Sequence, residues 1–238
     1  TGMVNGSGRA PFPNNVIPIN RLDAIALKMQ SLIPATNQSG TVSNYFASAP
    51  SVFNRANYDV KLNWNHSTNT TVWGKYSLMD ATVLSMPALG EAGGAGLING
   101  GGTGKGVVRA QVATVGYVRI FSPELLMDGT VSYSYDPLDQ AGHDFGKNYG
   151  LDMLGIPGTN GPDPRQSGMP QFNINGYASL GQIYSWSPKF VDNHYWTKTT
   201  NFNWTRGKHE MRFGADITYN SVNQWHPEIG FGPRGGFT

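Results

Sequence analysis

The sequence predicts an all-β chain, an antiparallel up-and-down transmembrane β-barrel segment of about six long strands in three hairpins, with long loops at one end and one short helix near the N-terminus. Three observations carry that expectation. Runs of alternating apolar and polar side chains are about twice the usual soluble strand of roughly 5–6 residues. Connections alternate between short and long, and charged side chains keep to one side of the alternation. The clearest case is the hairpin over residues 193–222, turning at Thr205-Arg206-Gly207-Lys208. Its second arm sets Met211, Phe213, Ala215, Ile217 and Tyr219 against Glu210, Arg212, Asp216 and Asn220. Such arms are long enough to cross hydrocarbon at a tilt, which takes about 9–11 residues.

Composition narrows the function classes. At 238 residues, the chain has the size of one ordinary all-β unit. Charged residues make up 13% with a net charge of +2, which argues against a nucleic-acid partner or a polybasic membrane-surface segment. The absence of cysteine excludes a disulfide scaffold and thiolate metal sites. No apolar run approaches the ~18 residues of a helical membrane span. The chain opens at Thr1 without a signal peptide, the expectation for a mature protein or a piece of a larger one.

Taken in order, residues 1–54 read as a loop-rich segment with a helix over about 21–33, capped by Asn20, with Asp23 in its first turn and Pro34 as its stop. Strands follow at 56–66 and 71–81, joined by Ser67-Thr68-Asn69-Thr70. The glycine-dense stretch 90–106 invites comparison with a phosphate-binding loop. Asn99 stands where that spacing needs Gly, Gly106 follows Lys105 where Ser or Thr is needed, and a strand follows in place of a helix. It therefore reads as a flexible connection. Strands at 107–120 and 126–135 turn at Ser122-Pro123-Glu124, a long loop spans 136–192, strands at 193–204 and 209–222 follow, and residues 223–238 read as an external loop.

All short turns then fall at one end of the sheet and all long loops at the other, as in outer-membrane barrels. Lys61, Lys75, Arg109, Arg119, Glu210, Arg212 and Asp216 are expected to share one face and line a watery lumen, since an Arg or Lys at mid-lipid costs about 2–4 kcal/mol. Asp136, Asp139, His143 and Asp144 have metal-binding or acid–base chemistry, but loop Asp and His residues chiefly serve turns and solvation. No catalytic, cofactor or metal residues are expected. Ligand-contact candidates are Tyr149, Arg165, Tyr177, Tyr184, Trp186, Trp225 and His226, together with Phe172. Exposed aromatics with Arg are frequent interface anchors, though Tyr and Trp equally form membrane girdles or pack loops.

Several motifs also carry a resemblance. They are Asn14-Asn15-Val16-Ile17-Pro18 with Asn20-Arg21-Leu22-Asp23, Val72-Trp73-Gly74-Lys75-Tyr76-Ser77, Ile120-Phe121-Ser122-Pro123-Glu124-Leu125, Gly155-Ile156-Pro157-Gly158, and Trp204-Thr205-Arg206-Gly207-Lys208-His209 with Phe213-Gly214-Ala215-Asp216. In this order, over nearly the whole chain, they resemble TonB-dependent outer-membrane receptors of the Oar-like, acidobacterial type. The resemblance implies a bacterial outer-membrane location in a barrel of about 22 strands around a plug. Residues 1–238 would be an internal slice of that wall. Implied partners are outer-membrane lipid, the remaining barrel and plug, the TonB complex through a segment N-terminal to this chain, and an external siderophore, glycan or peptide. The alternative expectation is a soluble secreted β-sandwich, a carbohydrate-binding module, in which the Tyr58-Val60-Leu62-Trp64 and Met211-Phe213-Ile217 faces meet in a closed core.

Overall fold

A computed structural model describes residues 8, 10–97, 102–184, 186–227 and 232–238. The strands are β1 (Val52–Ser67), β2 (Thr70–Ser85), β3 (Gly104–Ser122), β4 (Leu125–Ala141), β5 (Gln171–Phe172), β6 (Lys189–Arg206), β7 (His209–Trp225) and β8 (Gly236–Phe237). The two-residue β5 and β8 pair in parallel, and the six long strands form one antiparallel sheet in chain order. Sequential antiparallel pairing follows from the turns. Only two residues separate β1 from β2, β3 from β4 and β6 from β7, a length that permits nothing but a hairpin.

The strands outrun their expected spans at nearly every end, reaching 16–19 residues. The ladder continues through residues whose composition reads as loop. β4 passes Asp136-Pro137 to Ala141, and Pro137 still faces Asp192 of β6, whereas the β3–β4 ladder skips residues 136 and 137. Pro has no N–H to donate, so only one side of the strand keeps its bonding there. The connection read as 136–192 shrinks to 142–188, and part of the tail expected as external loop belongs to β7 and β8.

Register partners share a face. Trp64 faces Val72, Val72 faces Tyr117, Met127 faces Phe202 and Phe202 faces Phe213. The two faces that a sandwich would press together therefore lie on the same side of one sheet, at opposite edges. Tyr58 is 60% exposed and Phe213 55%. The same register corrects the lumenal assignment of Arg109 and Arg119. Arg109 faces Asp80 and Arg119 faces Thr70, on the side of Tyr58 and Trp64 and opposite that of Lys61 and Lys75.

Described residues of the N-terminal segment, the two long loops and the tail gather at the end away from the short turns. Helix α1 (Ala24–Leu32) begins later than expected, because the residues ahead of it, Ile19–Arg21, form a 3-10 turn and Asp23 takes the capping position in place of Asn20. The Asp23 Oδ1 accepts from the Ile25 and Ala26 amides at 2.8 and 2.9 Å. Met29 of α1 packs with Ala92, Leu154, Ile156, Met169 and Leu180, so the N-terminal segment and both long loops share one small apolar core, here called the cap. The glycine-dense stretch is anchored rather than flexible over its described residues, while 98–101, with Asn99, lie outside them. The Gly94 amide donates to Gly181 at 2.8 Å, and the Gly181 amide donates to Ala92 at 2.7 Å. A Cβ on Gly93 or Gly181 would overlap the backbone of the neighbouring stretch, and both glycines hold positive φ.

Replacing Gly181 by Ala is expected to unseat the cap. The left-handed conformation alone costs a non-glycine residue about 1–2 kcal/mol, and the overlap with the Pro170 carbonyl adds to that. Limited proteolysis should show faster cleavage within 142–188, while circular dichroism keeps its β signal.

Candidate membrane-facing wall and external cap

On the apolar side of the sheet, register converts side-chain chemistry into depth. One row across the strands reads Val60, Tyr76, Ala113, Tyr133, Trp196 and Tyr219. Towards the short turns the next row is Leu62, Gly74, Val115, Val131, Lys198 and Ile217. Towards the cap the following rows become Tyr58, Leu78, Gln111, Tyr135, His194 and Ser221, and then Ala56, Asp80, Arg109, Pro137, Asp192 and Asn223. Apolar side chains thus give way to an aromatic belt and then to a polar collar, the order found across a membrane boundary.

Charges on this face obey that order. Arg109 sits in the collar opposite Asp80, and Arg119 stands at the turn end with its guanidinium 5.4 Å from the Phe121 ring. Lys198 alone lies inside the apolar band, between Val131 and Ile217. It is one row from Trp196, within reach of its four-carbon stem.

The other face is polar and cross-linked. Lys75 pairs with Asp59 at 3.1 Å, Asp128 accepts from Asn201 and Asn203 at 3.1 and 3.2 Å, and the Thr114 and Ser132 hydroxyls meet at 2.9 Å. Lys61 lies 4.8 Å over the Trp73 ring, and Gly116 is glycine where a Cβ would overlap that indole. Such a surface suits a watery lumen.

In the cap, the ligand-contact candidates separate into groups. Arg165 is held by Asp163 and lies 4.5 Å over Trp225, which in turn packs with Phe190. Trp186 and His226 stack at 4.7 Å with 6° between their planes. Tyr149 takes a bond from Lys147 at 2.9 Å and Tyr184 sits against Gly102, so both are engaged in packing. Tyr177, 79% exposed, stands apart from these contacts on the rim of a groove beside α1. Hydrogen bonds from Arg165 hold the Asp163 carboxyl below its usual range and push the guanidinium up.

The run Asp136, Asp139, His143 and Asp144 does not gather into one site. Alternation sends Asp136 and Asp139 to opposite faces of β4. His143 binds the Thr103 hydroxyl through Nδ1 at 3.0 Å, and buried Asp144 accepts from the Met169 amide at 2.5 Å. Burial lowers the His143 pKa, with Asp144 opposing and Lys147 reinforcing that shift. Sequence reasoning missed Thr103, Gln182 and buried Arg234, which knit the two loops and the tail together. Nothing local in the sequence marks them, because their partners lie tens of residues away.

A family model described as outer membrane beta barrel domain matches residues 1–238. No curated protein and no solved structure matches the chain.

Ile217→Arg should destabilise the lipid-inserted sheet by about 2–4 kcal/mol, the scale for Arg near mid-lipid. Thr218→Arg, one residue on and facing the polar side, should cost far less, and denaturant unfolding from lipid vesicles compares the two. Acid should loosen the cap. His143 has a folded-state pKa below its ordinary value of about 6.5, so the stability carried by its neutral form is complete above that value and falls away as pH drops through the folded pKa. Protease cleavage within 142–188 should therefore rise as the pH falls below about 6.5, and His143→Gln should flatten the rise.

Proposed function

Because the chain belongs to the outer membrane beta barrel domain family, we propose that it forms part of the wall and external mouth of a TonB-dependent receptor, which captures an external ligand and imports it with energy from the inner membrane. The observation that carries this reading is the asymmetry of the sheet. Three two-residue turns occupy one end, and a folded cap built from the N-terminal segment, both long loops and the tail occupies the other. A passive scaffold has no need of an elaborated outer end, whereas a receptor places its recognition there.

The sheet edges agree with a larger wall. β1 and β7 each pair on one side only among the described residues. In hydrocarbon the free backbone groups require a neighbouring strand, and the remaining barrel would supply it. A plug within that barrel would lie against the polar face, and the TonB complex would act on the plug from below. Trp186, Tyr177 and the Arg165–Trp225 pair are the cap groups through which a siderophore, glycan or peptide would be caught. The role is capture and passage, and no residue is assigned a chemical step.

The test uses the complete receptor in cells. Ligand from spent medium should bind cells with and without an intact TonB complex, and its accumulation should fall at least tenfold when TonB is deleted or a protonophore collapses the inner-membrane gradient. Accumulation that persists unchanged would make the barrel a passive pore.

A further inference from the structure

The groove between α1 and the folded loop lies in the cap, outside the wall. It encloses about 760 Å³, within the roughly 300–1,000 Å³ typical of small-molecule sites. Its floor is closed by Met29, Leu180 and Ile156, which are 5, 5 and 8% exposed. One side is a prepared aromatic surface. Phe172 and Phe237 stack with centroids 5.1 Å apart and 15° between planes, held in place by the β5–β8 pairing, and Tyr177 rises beside them. Residues from four separate stretches meet here, and they leave apolar side chains open where a packed core would have closed over them.

The polar content of the groove is as specific as its apolar content. Among the described residues, Asp23 is the one charged residue lining it. Both helix-capping bonds fall on the Asp23 Oδ1, and Oδ2 accepts none from a described residue. A carboxylate alone at the edge of an apolar cleft is complementary to a donor carrying positive charge and repels an anion. We infer that the groove binds a small apolar ligand bearing a free amine, such as the amino end of a hydrophobic peptide, with the amine at Asp23 and its side chains against Phe172, Phe237 and Tyr177. This assignment rests on the reading of the capped end as the ligand-catching side, and it names the chemistry of what is caught there.

Three probes that share one body test it. Leu-Phe-amide carries a positive amine, its N-acetyl form is neutral, and its N-succinyl form is negative. Binding to the complete receptor in lipid nanodiscs, which avoid free detergent in the groove, is followed by calorimetry. Saturable binding is expected in the order amine, acetyl, succinyl, with about fivefold between the first two, the scale of a partly exposed ion pair. Asp23→Asn retains a good helix cap while removing the charge, and should erase the discrimination between amine and acetyl forms. Tyr177→Ala should weaken all three, and Ala26→Trp, which fills the groove, should abolish them while the β signal and protease resistance of the cap stay unchanged. Absence of saturable binding, binding that survives Ala26→Trp, or equal affinity for all three charges would each overturn the assignment. The assay needs no energy source, so its failure leaves energised uptake untouched, and loss of TonB dependence leaves the groove untouched.

Discussion

Inside a bilayer a peptide group has no water to turn to, so each strand must hand both sides of its backbone to its neighbours. Much of this structure answers to that constraint. The ladder runs without a register slip from the cap end to the turn end of β2–β3, β4–β6 and β6–β7. Irregularities in β1–β2 and β3–β4 are confined to two kinds of place. Bulges at residues 65/67 and 120/122 sit against the short turns, and the interrupted pairs sit at Pro137. Pro137 lies in the polar collar beside Asp192, above the aromatic belt. A missing N–H there is open to water, whereas the same proline two rows lower would strand a carbonyl in hydrocarbon.

A fixed ladder also fixes depth. Once the register is set, each side chain has a height as well as a face, and on the outer surface an apolar band that holds Lys198 gives way towards the cap to rows rich in aromatics and then to a polar collar. Alternation alone does not supply the height. Alternation along 107–120 sets Val108, Val112 and Val118 against Arg109 and Arg119, and lipid's exclusion of charge then predicts the arginines to be lumenal. In the sheet those valines face Ala81, Ser77 and Thr71, on the polar side, and the arginines occupy the outer face at its two water boundaries. The principle that lipid excludes charge was sound, but it applies to a band of the strand and not to its full length. Strands of 16–19 residues stand well clear of a band that about 9–11 residues span.

The part of the fold legible in the sequence was therefore the part with local causes. Period-two patterning and turn chemistry located the six long strands, their order and the segregation of their connections. Strand ends were not legible, since Asp, Asn and Pro in the collar have the composition of a loop while the ladder continues through them. The cap was hardly legible at all. Its core joins Met29 to Leu180, its glycine crossing joins Gly93 to Gly181, and its tail returns to pair Phe237 with Phe172. None of these contacts leaves a periodic trace. Glycine density, which in isolation reads as flexibility, here marks two backbones packed closer than any Cβ allows. The candidate aromatics lie at the capped end, but nothing local in the sequence marks that Arg165 and Trp225 occupy each other or that Tyr177 stands apart.

That distinction bears on how a receptor mouth works. A ligand meeting loose loops must order them, and the lost chain entropy is subtracted from its affinity. Here the loops are already ordered by buried groups of their own, with Asp144 on the Met169 amide, Thr103 between His143 and Gln182, and Arg234 on the Ser187 carbonyl. The groove beside α1 is consequently preformed. α1 joins the folded loop through buried Met29, through Ile25 and Leu32 packed at the edge of the same core, and through a 3.4 Å bond from Lys28 to the Leu154 carbonyl. By linkage, an occupant that touches both walls must stabilise the docking of α1 by the same free energy with which docking favours the occupant. The helix ahead of β1 would then be held most firmly while the groove is filled.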